Sequence, residues 1–268
     1  MKITALMENS AARPDCRAEH GLSILIETGK HVVLFDAGAS AQFAQNAAAL
    51  GVDLGAVDTA VLSHGHYDHS GGMTEFFRRN AQAKLYARAG FELARYNKTG
   101  KYIGVEPRLT DHPRVVPVTA ERLELDEQLT IVHWGGEPCV RPIDSCGMKA
   151  ESCAGSPLVD ELFDHEQYLI VSEGNKRVLF SGCSHRGILN IMNWSRGESV
   201  CAVIGGFHFK DLDPSAYGTK LSDAAAELAR YPVTYYSCHC TGEAPFAFLK
   251  ECLWERLQPL HAGQVITF

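Results

Sequence analysis

Apolar residues fall in short β-branched runs separated by sharp turns along most of the chain. Residues 2–7 and 22–27 read as strands, and His31 to Asp36 follows a Gly29-Lys30 turn, so 22–36 is expected to form a hairpin. From Ala41 to Leu50 the apolar Phe43, Ala47 and Leu50 share one helical face, and Gly51 stands where a helix stop belongs. Thr59 to Leu62 is another short strand and runs directly into Ser63-His64-Gly65-His66-Tyr67-Asp68-His69-Ser70-Gly71-Gly72. Met73, Phe76 and Phe77 then mark a helix. This strand, loop, helix order is that of an α/β unit with its chemistry at the C-terminal end of the strand.

The span 90–157 is poorer in periodicity. It carries Pro107, Pro113, Pro117, Pro138, Pro142 and Pro157, with Cys139, Cys146 and Cys153 at seven-residue steps. It reads as a mixed strand and loop excursion, a candidate lid over a pocket. The cysteine steps are wider than the close pairs of structural zinc sites. Regular structure resumes with strands at 167–171 and 177–180 joined by a Glu173-Gly174-Asn175-Lys176 turn. A strand at 201–204, a helix over 222–230 and a strand at 233–236 follow. Four times an apolar strand runs into a short Gly/Ser/His segment, at His64, His185, His208 and His239. Strand ends that bring histidines to one sheet edge collect metal ligands from distant parts of a chain.

The 268 residues suit one domain spanning 1–268, and the 46% hydrophobic and 21% charged composition is that of a globular chain with a large core. A net charge of -7 argues against a nucleic-acid partner. No apolar run is long enough for a membrane span and no leader is apparent, while nine cysteines, an odd count, fit reduced thiols. A cytoplasmic protein with a small-molecule substrate is expected. The sequence is silent on oligomeric state.

His64-x-His66-x-Asp68-His69 gathers three imidazoles and a carboxylate within six residues. Such donors suit zinc first, with manganese or iron as alternatives, and one or two divalent ions are expected. Alternate residues of an extended loop point the same way, so His64 and His66 would share one ion while Asp68 and His69 face a second. Gly-x-Ser-x-Gly, a Walker loop and His-Glu-x-x-His are all absent.

The segment from Ser63 to Gly72 resembles the signature loop of the metallo-β-lactamase superfamily. Glu19-His20-Gly21-Leu22-Ser23, Gly182-Cys183-Ser184-His185-Arg186-Gly187, Gly205-Gly206-Phe207-His208 and His239-Cys240-Thr241-Gly242 narrow the likeness. They resemble the branch named for the dihydropterin ribofuranosyl-aminobenzene phosphate synthases, which also contains metal-dependent hydrolases. The resemblance implies a four-layer αββα sandwich with metals at one edge of its two sheets. It implies one ion on His64, His66 and a later histidine, either His165 or His185, and another on Asp68, His69 and His239. Where the superfamily has a bridging aspartate this chain has Cys183, so that Cys183 or His185 would take its place. Asp36 resembles the strand-end aspartate that orients a ligand histidine.

A Lewis-acid metal lowers the pKa of bound water to about 7, so a hydroxide nucleophile is expected. Asp68 and His208 are the candidate catalytic side chains. His20, Arg186 and His208 are the candidate substrate contacts, Arg186 being suited to a phosphorylated or otherwise anionic group. A hydrolase of esters, phosphoesters or similar bonds is the first expectation. A condensing transferase joining a dihydropterin to a ribofuranosylaminobenzene phosphate is the second. A metal-binding redox or sensor protein, resting on Cys183, Cys238 and Cys240, is the third.

Overall fold

The computed structural model describes residues 1–135, 139–237 and 239–268. Pro138 and Cys238, which figured in the sequence reading, lie outside the described residues. The first half of the chain runs β1 (Lys2–Met7), β2 (Ser23–Glu27), β3 (Val32–Phe35), α1 (Gln42–Ala49), β4 (Thr59–Leu62), α2 (Tyr67–Ser70), α3 (Met73–Arg79) and β5 (Lys84–Arg88). It continues with β6 (Arg95–Tyr96), α4 (Pro107–Thr110), β7 (Val115–Val118), β8 (Arg122–Glu124) and β9 (Leu129–Val132). After β10 (Lys149–Glu151) and β11 (Leu158–Asp160) come β12 (Tyr168–Glu173), β13 (Lys176–Phe180), α5 (Ile188–Trp194) and β14 (Ala202–Gly205). The chain closes with α6 (Pro214–Leu228), β15 (Thr234–Ser237), α7 (Glu243–Leu253), β16 (Leu257–Pro259) and β17 (Val265–Thr267).

Two seven-stranded sheets result, ordered β17-β1-β2-β3-β4-β5-β7 and β16-β15-β14-β13-β12-β9-β8. In each, antiparallel pairing gives way to a parallel block, β3 to β7 in the first and β13 to β16 in the second. The central parallel strands β3, β4 and β14 are nearly all apolar because both of their faces are covered, and the period of two decides which layer each side chain joins. Ile24, Ile26, Val33, Phe35 and Val61 face Leu169, Val171, Val178, Phe180 and Ile204 between the sheets. Their neighbours Leu25, Leu34, Ala60 and Leu62 turn outward onto Phe43, Met73 and Phe76 of α1 and α3. Ile170, Leu179, Val203 and Tyr235 turn outward onto α5, α6 and α7. The order of layers is therefore αββα.

The expected excursion over 90–157 is not one unit. β7 pairs with β5, while β8 and β9 extend the second sheet beside β12, so 115–132 belongs to the sandwich. What remains outside is a three-stranded sheet ordered β11-β10-β6 with its connecting loops. Short strands interrupted by Pro117 and flanked by charged residues hide their period of two. The last helix of the sequence reading also starts earlier, at Pro214, where the Asp213 carboxylate accepts from the Ser215 N–H at 2.8 Å. Among the described residues no helix is long and apolar enough to cross a membrane.

Phe35 and Phe180 meet between the sheets with ring centroids 5.8 Å apart, both fully buried. Phe180→Ala is expected to cost about 3–5 kcal/mol of stability, read from denaturant unfolding. A loss near zero would mean that this contact does not hold the sheets together.

Candidate metal centre

The C-terminal ends of β4, β13, β14 and β15 open on one rim of the sandwich, and each delivers histidine there. The loop after β4 is fixed from behind by Asp36, which follows β3 with φ 59°. Its carboxylate accepts from the Ser63 N–H at 2.7 Å, from the Ser63 hydroxyl at 2.6 Å and from His69 Nδ1 at 2.7 Å. Because the Ser63 hydroxyl donates to Asp36, its oxygen accepts from His64 Nδ1 at 2.8 Å. Both rings therefore carry their Nδ1 protons toward the protein and turn Nε2 toward the rim. Gly71 is pressed against the Ala39 carbonyl, which an added Cβ would approach to 2.1 Å. The glycine thus packs the loop and does not leave space for a ligand.

The rings of His64, His66 and His185 form a tight group, with His185 4.8 Å from each of the other two. Cys183 lies between this group and the next. Donor atoms of His64, Cys183 and His185 lie within 4.8 Å of one another, as do those of His69, Cys183 and His239. The Cys183 sulfur is 3.2 Å from His69 Nε2. A third set, His20, Asp68 and His239, adjoins the second, and Asp68 Oδ2 stands 3.2 Å from Nε2 of both His20 and His239.

His64 Nε2, His66 Nε2, both ring nitrogens of His185, and His239 Nε2 are buried without a hydrogen-bond partner. At His239 the consequence can be worked out. Asn9 Nδ2 donates to the His239 carbonyl, so its Oδ1 accepts from His239 Nδ1 at 2.9 Å. Burial lowers the His239 pKa to about 4, which leaves Nε2 bare at neutral pH, facing a carboxylate oxygen. Two lone pairs in contact repel unless a cation lies between them. Burial likewise holds His66 at about 3 and drives His64 and His185 well below the usual imidazole value, the neutral form that ligates metals. Neutral imidazoles, a carboxylate and a thiol together fit transition-metal ions.

His69 behaves differently. Burial opposes its charge, but Asp36 and Asp68 outweigh that and raise it to about 9. Burial also works against the Asp68 charge, yet the charge on His69 and the hydrogen bond from His20 keep it ionised far below the ordinary range.

Two expected residues, His165 and Arg186, are engaged by other partners, while His208 stands at the rim. His165 Nδ1 accepts from the Gly65 N–H at 2.8 Å, and its Nε2 lies 3.7 Å from Glu161. It braces the loop, while His185 stands among the convergent nitrogens. The Arg186 guanidinium, expected to meet an anionic group, is buried and held by the Leu162 and Gly135 carbonyls and by Asp164 at 2.6 Å. His208 ends β14 with its ring 4.3 Å from His185 and its Nδ1 3.8 Å from the Cys146 sulfur. Burial, then Lys210, lowers its pKa to about 4. Of the eight non-glycine residues with positive φ among the described residues, Asp36, Cys146, Phe163, Ser184, His208 and His239 surround this rim. Strain of this kind collects where function fixes the backbone.

Sequence reasoning missed Asn9, Glu8 and Glu166, and singled out Cys146 only as part of a series of cysteines at seven-residue steps. Glu8 accepts from the His239 N–H at 2.7 Å, and Glu166 from the His185 N–H at 2.6 Å. A charged residue just before an apolar strand was a signal for Glu166. Asn9 and Glu8 gave none, being 230 and 231 positions from the histidine they hold.

An αββα sandwich with nitrogen, oxygen and sulfur donors at one rim defines a class of metal-site proteins. A metallo-β-lactamase superfamily model matches residues 16–140. The chain is 30% identical to the 7,8-dihydropterin-6-methyl-4-(β-D-ribofuranosyl)-aminobenzene-5'-phosphate synthase of Methanocaldococcus jannaschii, with 100% of this chain and 97% of the relative covered. This chain belongs to the metallo-β-lactamase superfamily. An uncharacterized protein of the same archaeon is 29% identical over 77% of this chain and 78% of its own. Among solved structures, Tm1679, described as a metal-dependent hydrolase of the β-lactamase superfamily, superposes with TM-score 0.81 at 26% identity, covering 100% and 99% of the two chains. Zn(2+)-bound PqqB from Methylobacterium extorquens shares the fold at TM-score 0.62 and 14% identity, with both chains fully covered.

Because His69 is protonated below about 9, an ion that takes its Nε2 must displace that proton. Ion uptake at pH 7 is therefore expected to release protons, and affinity to rise by about tenfold per pH unit per proton before levelling off above the His69 value. Calorimetry in buffers of different protonation enthalpy measures the count. Uptake without proton release would contradict the assignment of His69.

Proposed function

We propose that the chain is a metal-dependent hydrolase acting on an ester or phosphoester bond of a small anionic molecule. The observation that carries this reading is the convergence of unpartnered imidazole nitrogens on one buried rim. His64, His66 and His185 would hold an inner ion, and Asp68, His69 and His239 an outer one, with the Cys183 thiolate between them. Zinc is the first candidate, manganese and iron the others. Bound there, divalent ions would supply Lewis acidity and ionise water near neutral pH.

The chain's own residues set the rest. Asp36 orients His69, and Asn9 orients His239. Asp68 stays ionised and serves as a fixed negative charge at the reacting position. His208, neutral at pH 7, stands at the edge of the group with a ring nitrogen available to accept or return a proton from substrate. Lys210 takes the part first given to Arg186. It is exposed, its N–H is anchored on the Cys240 carbonyl at 3.1 Å, and its charge bears on Tyr67, Cys183 and His208. A cation so placed suits a phosphate or carboxylate on the substrate.

A second reading is a condensing synthase, favoured by the full-length relationship to the archaeal synthase. The two separate on assay. A hydrolase turns over bis(p-nitrophenyl) phosphate, loses that activity to chelator and regains it with zinc or manganese. A synthase joins a dihydropterin to a ribofuranosylaminobenzene phosphate and leaves the diester intact.

The protein is expected to carry about two transition-metal ions per chain, from the donor sets available. His66→Ala should lose the inner ion, whereas His112→Ala, which alters a ring stacked on Phe77 away from the rim, should not. Elemental analysis giving equal metal in the two variants would remove the ligand assignment. Lys210→Ala should raise the KM for bis(p-nitrophenyl) phosphate on the order of fivefold, as expected for an exposed charge pair, and leave that for neutral p-nitrophenyl acetate unchanged. An equal effect on both would rule out charge recognition.

A further inference from the structure

His20 was expected to contact substrate, but its surroundings assign it another part. Asp68 Oδ2 has two imidazole nitrogens at the same distance, Nε2 of His239 and Nε2 of His20, each at 3.2 Å. The two rings lie against each other with centroids 4.6 Å apart. One carboxylate oxygen and two imidazole nitrogens within 4.8 Å of one another form three sides of a coordination shell.

The segment that carries His20 is fastened to the same parts that hold the other donors. The Leu22 N–H donates to the Asp68 carbonyl at 3.1 Å, and the Gly21 N–H reaches Asn9 Oδ1 at 3.4 Å. That same oxygen accepts from His239 Nδ1. Gly21 permits the approach, since a Cβ there would stand 2.7 Å from the Asp68 carbonyl oxygen and 2.8 Å from the Ala39 nitrogen. On its other side Glu19 accepts from the Ser40 N–H, the Ser40 hydroxyl and Gln42. Residues 19–22 are thus braced at both ends, with His20 directed at Asp68.

We infer that His20 is a further protein ligand of the outer ion, a donor supplied by the N-terminal segment in addition to Asp68, His69 and His239. This rests on the two-ion reading above. His20 differs from the other donors in exposure, its side chain being 43% accessible where His69 and His239 are 0%. It occupies the solvent side of the outer position, the side from which a substrate atom must arrive. The Glu19-His20-Gly21 motif then has one purpose in all three residues: a brace, a donor and a close approach.

Cobalt titration of the wild-type protein, His20→Ala, His239→Ala and His66→Ala tests this, with visible absorption as the readout and a thermal melt to confirm folding. Two binding steps are expected in the wild type. His20→Ala should weaken the second step by about 10- to 100-fold, the range for altered metal surroundings, change its ligand-field bands and leave the first step intact. Added imidazole should restore the bands, which no merely structural role of His20 would allow. If His239→Ala loses the second step while His20→Ala keeps it unchanged in strength and spectrum, the inference fails and the two-ion reading stands. If the wild type takes up no cobalt, or His66→Ala and His239→Ala bind as the wild type does, both fail.

Discussion

Imidazole rings that are buried, neutral and without a hydrogen-bond partner on a ring nitrogen cost free energy unless a cation meets their lone pairs, and four such rings, His64, His66, His185 and His239, meet at one rim of this sandwich. The surrounding structure serves to keep them there. Asp36 and Asn9 take the Nδ1 protons of His69 and His239, and Ser63 takes that of His64. Each ring is left with one orientation and its Nε2 turned to the rim, as a bare lone pair on His64 and His239 and still protonated on His69. Six residues around the rim accept a left-handed backbone to the same end. Such strain is tolerated because the loops are fixed to strands that are buried over most of their length.

The sandwich provides what a single sheet could not. Parallel blocks in both sheets end at the same rim, so loops after β4, β13, β14 and β15 face one another across the interior. The antiparallel halves bring the N-terminal strand back beside β17, which places Asn9 and Glu8 under His239. Cys183 sits where the two donor groups touch. Burial raises its thiol pKa far above the usual value, so the free side chain is a neutral thiol at pH 7.

Much of this was legible in the residues. The four strand ends carrying His64, His185, His208 and His239 could be seen because each strand's apolar run stops at a short polar segment with glycine or serine. Asp36 was placed by its resemblance to the strand-end aspartate of the superfamily. Other features left no trace. β7, β8 and β9 were read as part of an excursion because Pro117 and flanking charges obscure a period of two over four residues or fewer. Arg186 carries the chemistry of anion recognition, and only the turn that buries it shows the charge to be spent on Asp164 and two carbonyls. His165 and His185 were equal candidates until the Gly65 N–H was seen to occupy one of them.

By itself the sequence determined the donor types, their sequence order and the α/β layering, because these follow from side-chain chemistry and local periodicity. The tertiary structure alone decided which lone pairs face the rim, that Lys210 and not Arg186 is left exposed beside it, and that Asn9 holds His239 across 230 positions. Orientation at a few tenths of an ångström depends on contacts between segments remote along the chain, and no local pattern encodes those.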